Sequence, residues 1–302
     1  MKESSTTYLG GSRTLQARLS DYTQLLKFRL TSSVVFSASA GYLLATDSFN
    51  WSVFVALVLG GFLTVGASNA FNQIWERNRD ALMNRTKNRP LAAGRMSVTE
   101  GLIVSTLALI AGAVLLFRIN PMSAYFGLLS VGLYTLVYTP MKARTPWAVF
   151  VGAFPGAIPF MLGWVAATND FDIEPGLLFA VQFFWQFPHF WAIGWVAYED
   201  YAKAGYYLLP TRKRDQTSAN LIITYTIWTI FVSLLPVFSF TGALTLSIPS
   251  AIVVFLLGLW LLSKAIKLKR NPGREAARSL MLTSVGYLPL VQIVYVLERY
   301  LF

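Results

Sequence analysis

The sequence predicts an all-α, polytopic membrane protein, and three features carry that prediction. Hydrophobic residues make up 55% of the chain and charged residues only 13%, about half of what soluble domains carry. The apolar residues gather in nine runs near the ~20 residues that a helix needs to cross a bilayer. The cations avoid every second connection between those runs. At 302 residues, with no Pro/Gly/Ser-rich linker, the chain reads as a polar tail over 1–27 and a single transmembrane domain over 28–302.

The runs lie at approximately 28–46, 51–75, 99–117, 121–140, 147–167, 176–197, 219–240, 244–263 and 279–297. Segments 1–29, 76–98, 141–146, 198–218 and 264–278 then share one side of the membrane and hold 23 of the 25 Lys and Arg residues. The other side keeps Arg118 and Arg299 with Asp47, Asp170, Asp172, Glu174 and Glu298. Positive residues stay inside, so the N-terminus is expected to be cytoplasmic and the C-terminus external. The net charge of +11 is thereby assigned to anionic lipid rather than nucleic acid. Zero cysteines exclude disulfides, thiolate metal sites and a cysteine nucleophile, and a single histidine excludes a poly-His metal site made by this chain alone. The tail lacks the apolar core of a signal peptide.

Taken in order, the spans differ in what they bring to the cytoplasmic face. The first opens on the segment LLKFRLTSSVVFSASAG, residues 25–41. The second runs into Asn72, Glu76 and Asp80, which fall on nearly one helix face, with Asn69 extending the row. Oxygen ligands stacked at a membrane boundary, with arginines close behind in the chain, suit Mg²⁺ and a diphosphate. An ordinary helix end with a solvated charged loop has the same spacing. The fourth span ends in Tyr138-Thr139-Pro140 and leads into Lys142 and Arg144. In the fifth, Pro155, Gly156, Pro159 and Gly163 predict a bent helix whose freed carbonyls need outside donors.

The sixth span carries Gln186, Pro188 and His189 among aromatics that include Trp185 and Trp191, and exits through Glu199-Asp200. Two acidic clusters on separate helices would hold metal ions between them, with Arg85, Arg89, Lys142, Arg144 and Lys203 on the same side for the anion. Glu199 and Asp200 at a solvated helix end, and His189 as a hydrogen-bonded structural residue, are the plainer readings. As a ligand, the imidazole would serve iron or carry a proton. The last three spans contribute hydropathy only.

The row Asn72, Glu76, Asp80, with Met83, Arg85-Thr86 and Asn88-Arg89-Pro90-Leu91 after it, resembles the UbiA superfamily of intramembrane prenyltransferases. Residues 80–91, 138–164 and 183–210 are similar to its haem-farnesylating branch, the last through Trp-Gln-x-Pro-His-Phe and Asp-Tyr-x-x-x-Gly. The resemblance implies nine helices around a central cavity, in a bacterial cytoplasmic membrane with the site near its cytoplasmic face. It implies Mg²⁺ as cofactor, farnesyl diphosphate and haem b as substrates, and haem O as product. Asn72, Glu76, Asp80, Glu199 and Asp200 would hold metal, with Asp80, Asp200, Arg85 and Lys142 carrying catalysis. Arg85, Lys87, Arg89, Lys142, Arg144 and Lys203 would meet the diphosphate or the haem propionates, and His189 and Trp185 the haem. Family members often have Asp at Glu76 and Asn78. Glu76 keeps a carboxylate and is expected to bind metal with a longer reach, while Asn78 lies off the face of the row and is expected to be dispensable. Haem A synthase or terminal-oxidase assembly proteins are the partners implied. A sister enzyme acting on a quinone precursor or another aromatic or lipid acceptor shares the metal motifs. A haem-binding scaffold or transporter is the non-enzymatic alternative, although no internal repeat is found.

Overall fold

The computed structural model describes residues 14–301, and every regular element among them is helical. Of the polar tail, residues 1–13 lie outside the described residues, and the remainder forms a short helix α1 (Leu15–Leu25). The long helices are α2 (Phe28–Ala45), α3 (Trp51–Asp80), α4 (Val98–Ile119), α5 (Pro121–Gly132), α7 (Ala148–Thr168), α8 (Ile173–Val196), α10 (Gln216–Leu234), α11 (Ile248–Arg270) and α12 (Arg274–Leu301). A π-helical segment (Leu133–Tyr138) continues α5 into α6 (Thr139–Met141), and α9 (Tyr198–Lys203) comes directly after α8.

Seven of these elements are long and apolar enough to span a bilayer: α3, α4, the run 121–141, α7, α10, α11 and α12. The protein is a multi-pass membrane protein. Helices α2 and α8 fall where spans were predicted but are less apolar. The first carries Arg29 and a run of Ser and Thr, the second Gln182, Gln186, Pro188 and His189. Polarity is inverted relative to a soluble bundle. Leu107, Phe117, Leu136 and Phe231 are exposed, whereas Asn72, Gln73, Glu76 and Gln186 are buried. Lipid solvates the first group and cannot hydrogen-bond the second.

Neighbouring helices form a closed circuit. Helix α3 packs on α2 and α4, α2 on α7, α7 on α8, α8 on α10 and α12, and α10 through α11 to α12, which returns to α2. The α2–α7 crossing is a backbone contact. A Cβ on Gly163 would come within 1.9 Å of the Ala38 carbonyl oxygen, and one on Gly41 within 2.0 Å of the Phe160 carbonyl oxygen. Small residues at such crossings let membrane helices gain dispersion energy that lipid does not offer.

Helix α7 runs as one α-helix through Pro155 and Pro159. Proline has no N–H, so Pro159 leaves the Pro155 carbonyl without its helical donor. Ser130 Oγ supplies one at 3.1 Å. Gln182 donates to the Gly156 carbonyl at 2.9 Å and Gln186 to the Ala153 carbonyl at 2.8 Å. Two glutamines of α8 thus brace α7 from inside the bundle.

Candidate active site

The last three turns of α3 place Asn69, Asn72, Glu76 and Asp80 on one face, each no more than 4% exposed. Asn78, off that face, is exposed. Segment 81–96 curls back over the helix end as a series of turns and buries Met83, Leu91 and Met96. Thr86 Oγ1 fastens it by donating to the Asp80 carbonyl at 2.9 Å. This brings Arg89 Nη1 to 2.7 Å from Asp80 Oδ2. Asp80 Oδ1 is buried and has no hydrogen-bond donor among the described residues.

Opposite α3, the π-helical segment shifts the register of the residues beyond Tyr138, a device that recurs at functional sites. Thr139 Oγ1 donates to the Tyr134 carbonyl at 2.8 Å and accepts from Asn72 Nδ2 at 3.1 Å. Three residues on, Lys142 Nζ donates to both oxygens of Glu76, at 3.0 and 3.1 Å, and lies 4.5 Å from the centre of the Tyr206 ring. Burial pushes the Lys142 ammonium down, but the Glu76 carboxylate outweighs it and holds the group above its usual range.

A further cation closes the third side. Lys27 sits at the N-terminus of α2 in the left-handed region (φ 48). Its Nζ donates to Asn69 Oδ1 at 3.1 Å. Burial, with Arg89 and Lys142 nearby, pushes its ammonium down to about 7. Three cations therefore crowd two carboxylates in a buried space.

Asp200 reaches the same region from α9. Its carboxylate accepts from the backbone N–H of Asn84 at 2.8 Å and of Arg85 at 3.1 Å, with Lys203 Nζ at 3.4 Å. Burial pushes this carboxyl up, but the two backbone donors win and hold it below the usual range. Asp200 thus pins the loop that begins at Asp80. Arg85 lies over the Tyr201 ring at 5.6 Å, with Nη2 3.4 Å from its hydroxyl.

The other expected residues sit differently. Glu199 is exposed and paired with Arg214 Nη2 at 2.9 Å, turned away from the Asp80 cluster. Lys87 reaches Asn84 Oδ1 at 3.4 Å. Arg144 is exposed, and its carbonyl accepts from Arg212 at 3.2 Å. His189 and Trp185 lie deeper along α8 and are held by Ser284 of α12.

The donor set fits Mg²⁺ in one specific sense. No three Asp, Glu, His or Cys side chains converge among the described residues. Magnesium, however, is commonly held by one or two carboxylates plus substrate phosphates and water. The donorless Asp80 Oδ1 is a hard oxygen of the type such a cation takes.

A cavity of about 320 Å³ lies at the opposite end of the bundle, lined by Asp47, Asp170, Asp172, Glu174 and Arg299. Its predominantly acidic lining repels a diphosphate, so the α3 cluster is the candidate. The roles of Lys27, Thr139, Tyr206 and Ser284 emerge only from the fold. Lys27 is one of several cations before the first span, beside Arg29, and Tyr206 one of several tyrosines in 198–207, so no motif singles out either. Nothing local marked Ser284.

An acidic and amide row crossed by buried cations, at one end of an all-helical membrane bundle, defines an intramembrane enzyme for an anionic ligand. The model of the UbiA prenyltransferase family matches residues 34–286, and the chain belongs to that family. It is 57% identical over 94% of its length to a protein from Christiangramia forsetii named protoheme IX farnesyltransferase, covering 94% of that relative. It is 55% identical over 95% of its length to a protein of the same name from Flavobacterium psychrophilum, covering 97% of it. Among solved structures, a digeranylgeranylglyceryl phosphate synthase matches with TM-score 0.78 at 17% identity, over 95% of this chain and 100% of that one. A UbiA homolog from Archaeoglobus fulgidus bound to GPP and Mg²⁺ matches with TM-score 0.66 at 15% identity, over 93% of this chain and 98% of that one. These likenesses establish the shared fold.

Proposed function

We propose that this chain transfers the farnesyl group of farnesyl diphosphate to a vinyl group of haem b, adding water and releasing diphosphate to give haem O. The observation that carries the reading is the excess of buried cations around Glu76 and Asp80. Lys27, Lys142 and Arg89 are held there by Asn69, Glu76 and Asp80, and a diphosphate supplies the negative charge that two carboxylates do not. The relatives at 55% identity and above support the choice of farnesyl donor and haem acceptor.

In this reading Lys27, Arg89, Lys142 and Arg85 bind the diphosphate and stabilise the charge that grows on it as the allylic C–O bond breaks. Asp80 Oδ1, with the neighbouring Asn72 amide, would hold Mg²⁺ together with diphosphate oxygens and water, while Glu76 stays paired with Lys142 and Asp200 with the 84–85 loop. The ion would add positive charge beside the departing diphosphate. Asp200 fixes the loop bearing Arg85, and Glu199 braces Arg214. The terminal carbon of the haem vinyl group bonds to C1 of the farnesyl cation. The positive charge passes to the carbon beside the porphyrin, water adds there, and one proton leaves to give the hydroxyl. Aromatic faces such as Trp185 and Trp191 line α8, and the surrounding apolar walls limit early capture by water.

We further infer that α2 and α8 cross the membrane with the other seven elements, giving nine spans. The cation-rich end faces the cytoplasm of a bacterial inner membrane. Purified protein given haem b, farnesyl diphosphate and Mg²⁺ is expected to yield a product heavier than haem b by one farnesyl group plus one hydroxyl, seen by mass spectrometry. Recovery of unchanged haem b with intact farnesyl diphosphate would contradict the reading.

A further inference from the structure

We infer that Ser284 is a positioning residue for His189: it fixes the imidazole as the Nδ1–H tautomer and aims the Nε2 lone pair at the haem iron. The inference rests on the haem reading above and assigns a task to α12, one of the three C-terminal spans that carry no motif.

The geometry is a two-point clamp. His189 Nδ1 lies 2.8 Å from Ser284 Oγ. A serine hydroxyl has a single proton, and that of Ser284 is directed to the Met281 carbonyl at 2.7 Å. Toward His189 the hydroxyl oxygen therefore accepts, so Nδ1 carries the ring proton. In a neutral imidazole the other nitrogen then bears the lone pair. Nε2 has no hydrogen-bond partner among the described residues, and His189 is only partly buried. A purely structural histidine in an apolar bundle would be expected to engage both nitrogens.

The same serine also fixes the rotation of the ring. Trp185 stacks on His189 with centroids 4.7 Å apart and planes 14° apart. The Trp185 Nε1–H donates to the Ser284 carbonyl at 2.7 Å. Hydroxyl and carbonyl of one residue thus hold both members of the stack. His189 lies seven residues before the end of α8 at Val196, roughly 10 Å along the helix. Iron bound there would sit deeper than the diphosphate anchored near Asp200. A hydrogen bond on the far nitrogen raises the basicity of a metal-bound imidazole, and its loss typically costs 10–100-fold in affinity.

The test is haem b titration of the purified protein, with resonance Raman of the ferrous complex. Wild type is expected to show an iron–imidazole stretch that His189→Ala abolishes. Ser284→Ala is expected to weaken haem binding about 10–100-fold, lower the stretching frequency, and leave the KM for farnesyl diphosphate unchanged. Ser284→Thr, which keeps the hydroxyl, is expected to restore both haem signals. Should Ser284→Ala unfold, the near-isostere Ser284→Cys, with its weak acceptor, gives the same reading. Wild-type affinity and frequency in Ser284→Ala, with both lost in His189→Ala, would overturn the role of Ser284 and leave the haem reading standing. An unchanged complex in His189→Ala would overturn iron ligation by that residue. A wild type that binds no haem would remove the reading on which the inference rests.

Discussion

Asp80→Asn is expected to lower kcat by about 10²–10³-fold, the usual effect of deleting one stabilising group from a charge-developing transition state, while the fold survives. The amide has the same shape, and its oxygen can keep the 2.7 Å bond from Arg89. What changes is Oδ1, the buried oxygen with no donor. Replaced by an NH₂ group, it becomes a donor where a divalent cation needs an acceptor, and the local charge rises by one. Turnover in detergent at saturating farnesyl diphosphate and Mg²⁺, with circular dichroism as the fold control, measures this. Activity within about threefold of wild type would remove Asp80 from the mechanism.

Lys142→Met is expected to be the most destabilising single change at the site. Glu76 is 2% exposed and takes two hydrogen bonds from Lys142, its one directly paired cation among the described residues, with the Tyr206 hydroxyl as a further, neutral donor. Removing one partner of a buried pair leaves an uncompensated charge, at a typical cost of about 3–5 kcal/mol. Neutralising both partners is far milder, because nothing is left to pair. The double variant Glu76→Gln/Lys142→Met is therefore expected to recover most of the lost thermal stability without recovering turnover, since a cation for the diphosphate is gone. Thermal unfolding of the two variants in one detergent separates these effects. Equal stability of the single and double variants would show that the pair is not a buried, coupled unit.

Much of this arrangement was legible in the sequence because it is periodic. Asn69, Asn72, Glu76 and Asp80 recur at helical spacing, so 3.6 residues per turn places them on a shared face. The prolines of α7 announced freed carbonyls, and Ser130 donates to that of Pro155, while Gln182 and Gln186 bond carbonyls beside it. The same arithmetic separates Glu199 from Asp200: neighbours on a helix point about 100° apart, so one meets Arg214 and the other the 84–85 loop. Reading them as a joint ligand pair treated adjacency as shared direction.

The illegible part depends on contacts between distant segments or on backbone that departs from regularity. The left-handed cap at Lys27 and the π-helical turn before Thr139 have no compositional signature. Ser284 is an ordinary small polar residue in a greasy run until α12 is seen against α8. Helices α2 and α8 fall outside the seven candidate spans because hydroxyls, amides and single charged or imidazole groups dilute their apolar residues.

The most direct measurement is a structure of the protein with Mg²⁺ and the unreactive thiolo analogue of farnesyl diphosphate. The account predicts a cation within coordination range of Asp80 Oδ1 and of the diphosphate oxygens, with Lys27, Arg89 and Lys142 around the anion. A diphosphate seated elsewhere, or a cation that leaves Asp80 Oδ1 untouched, would contradict it.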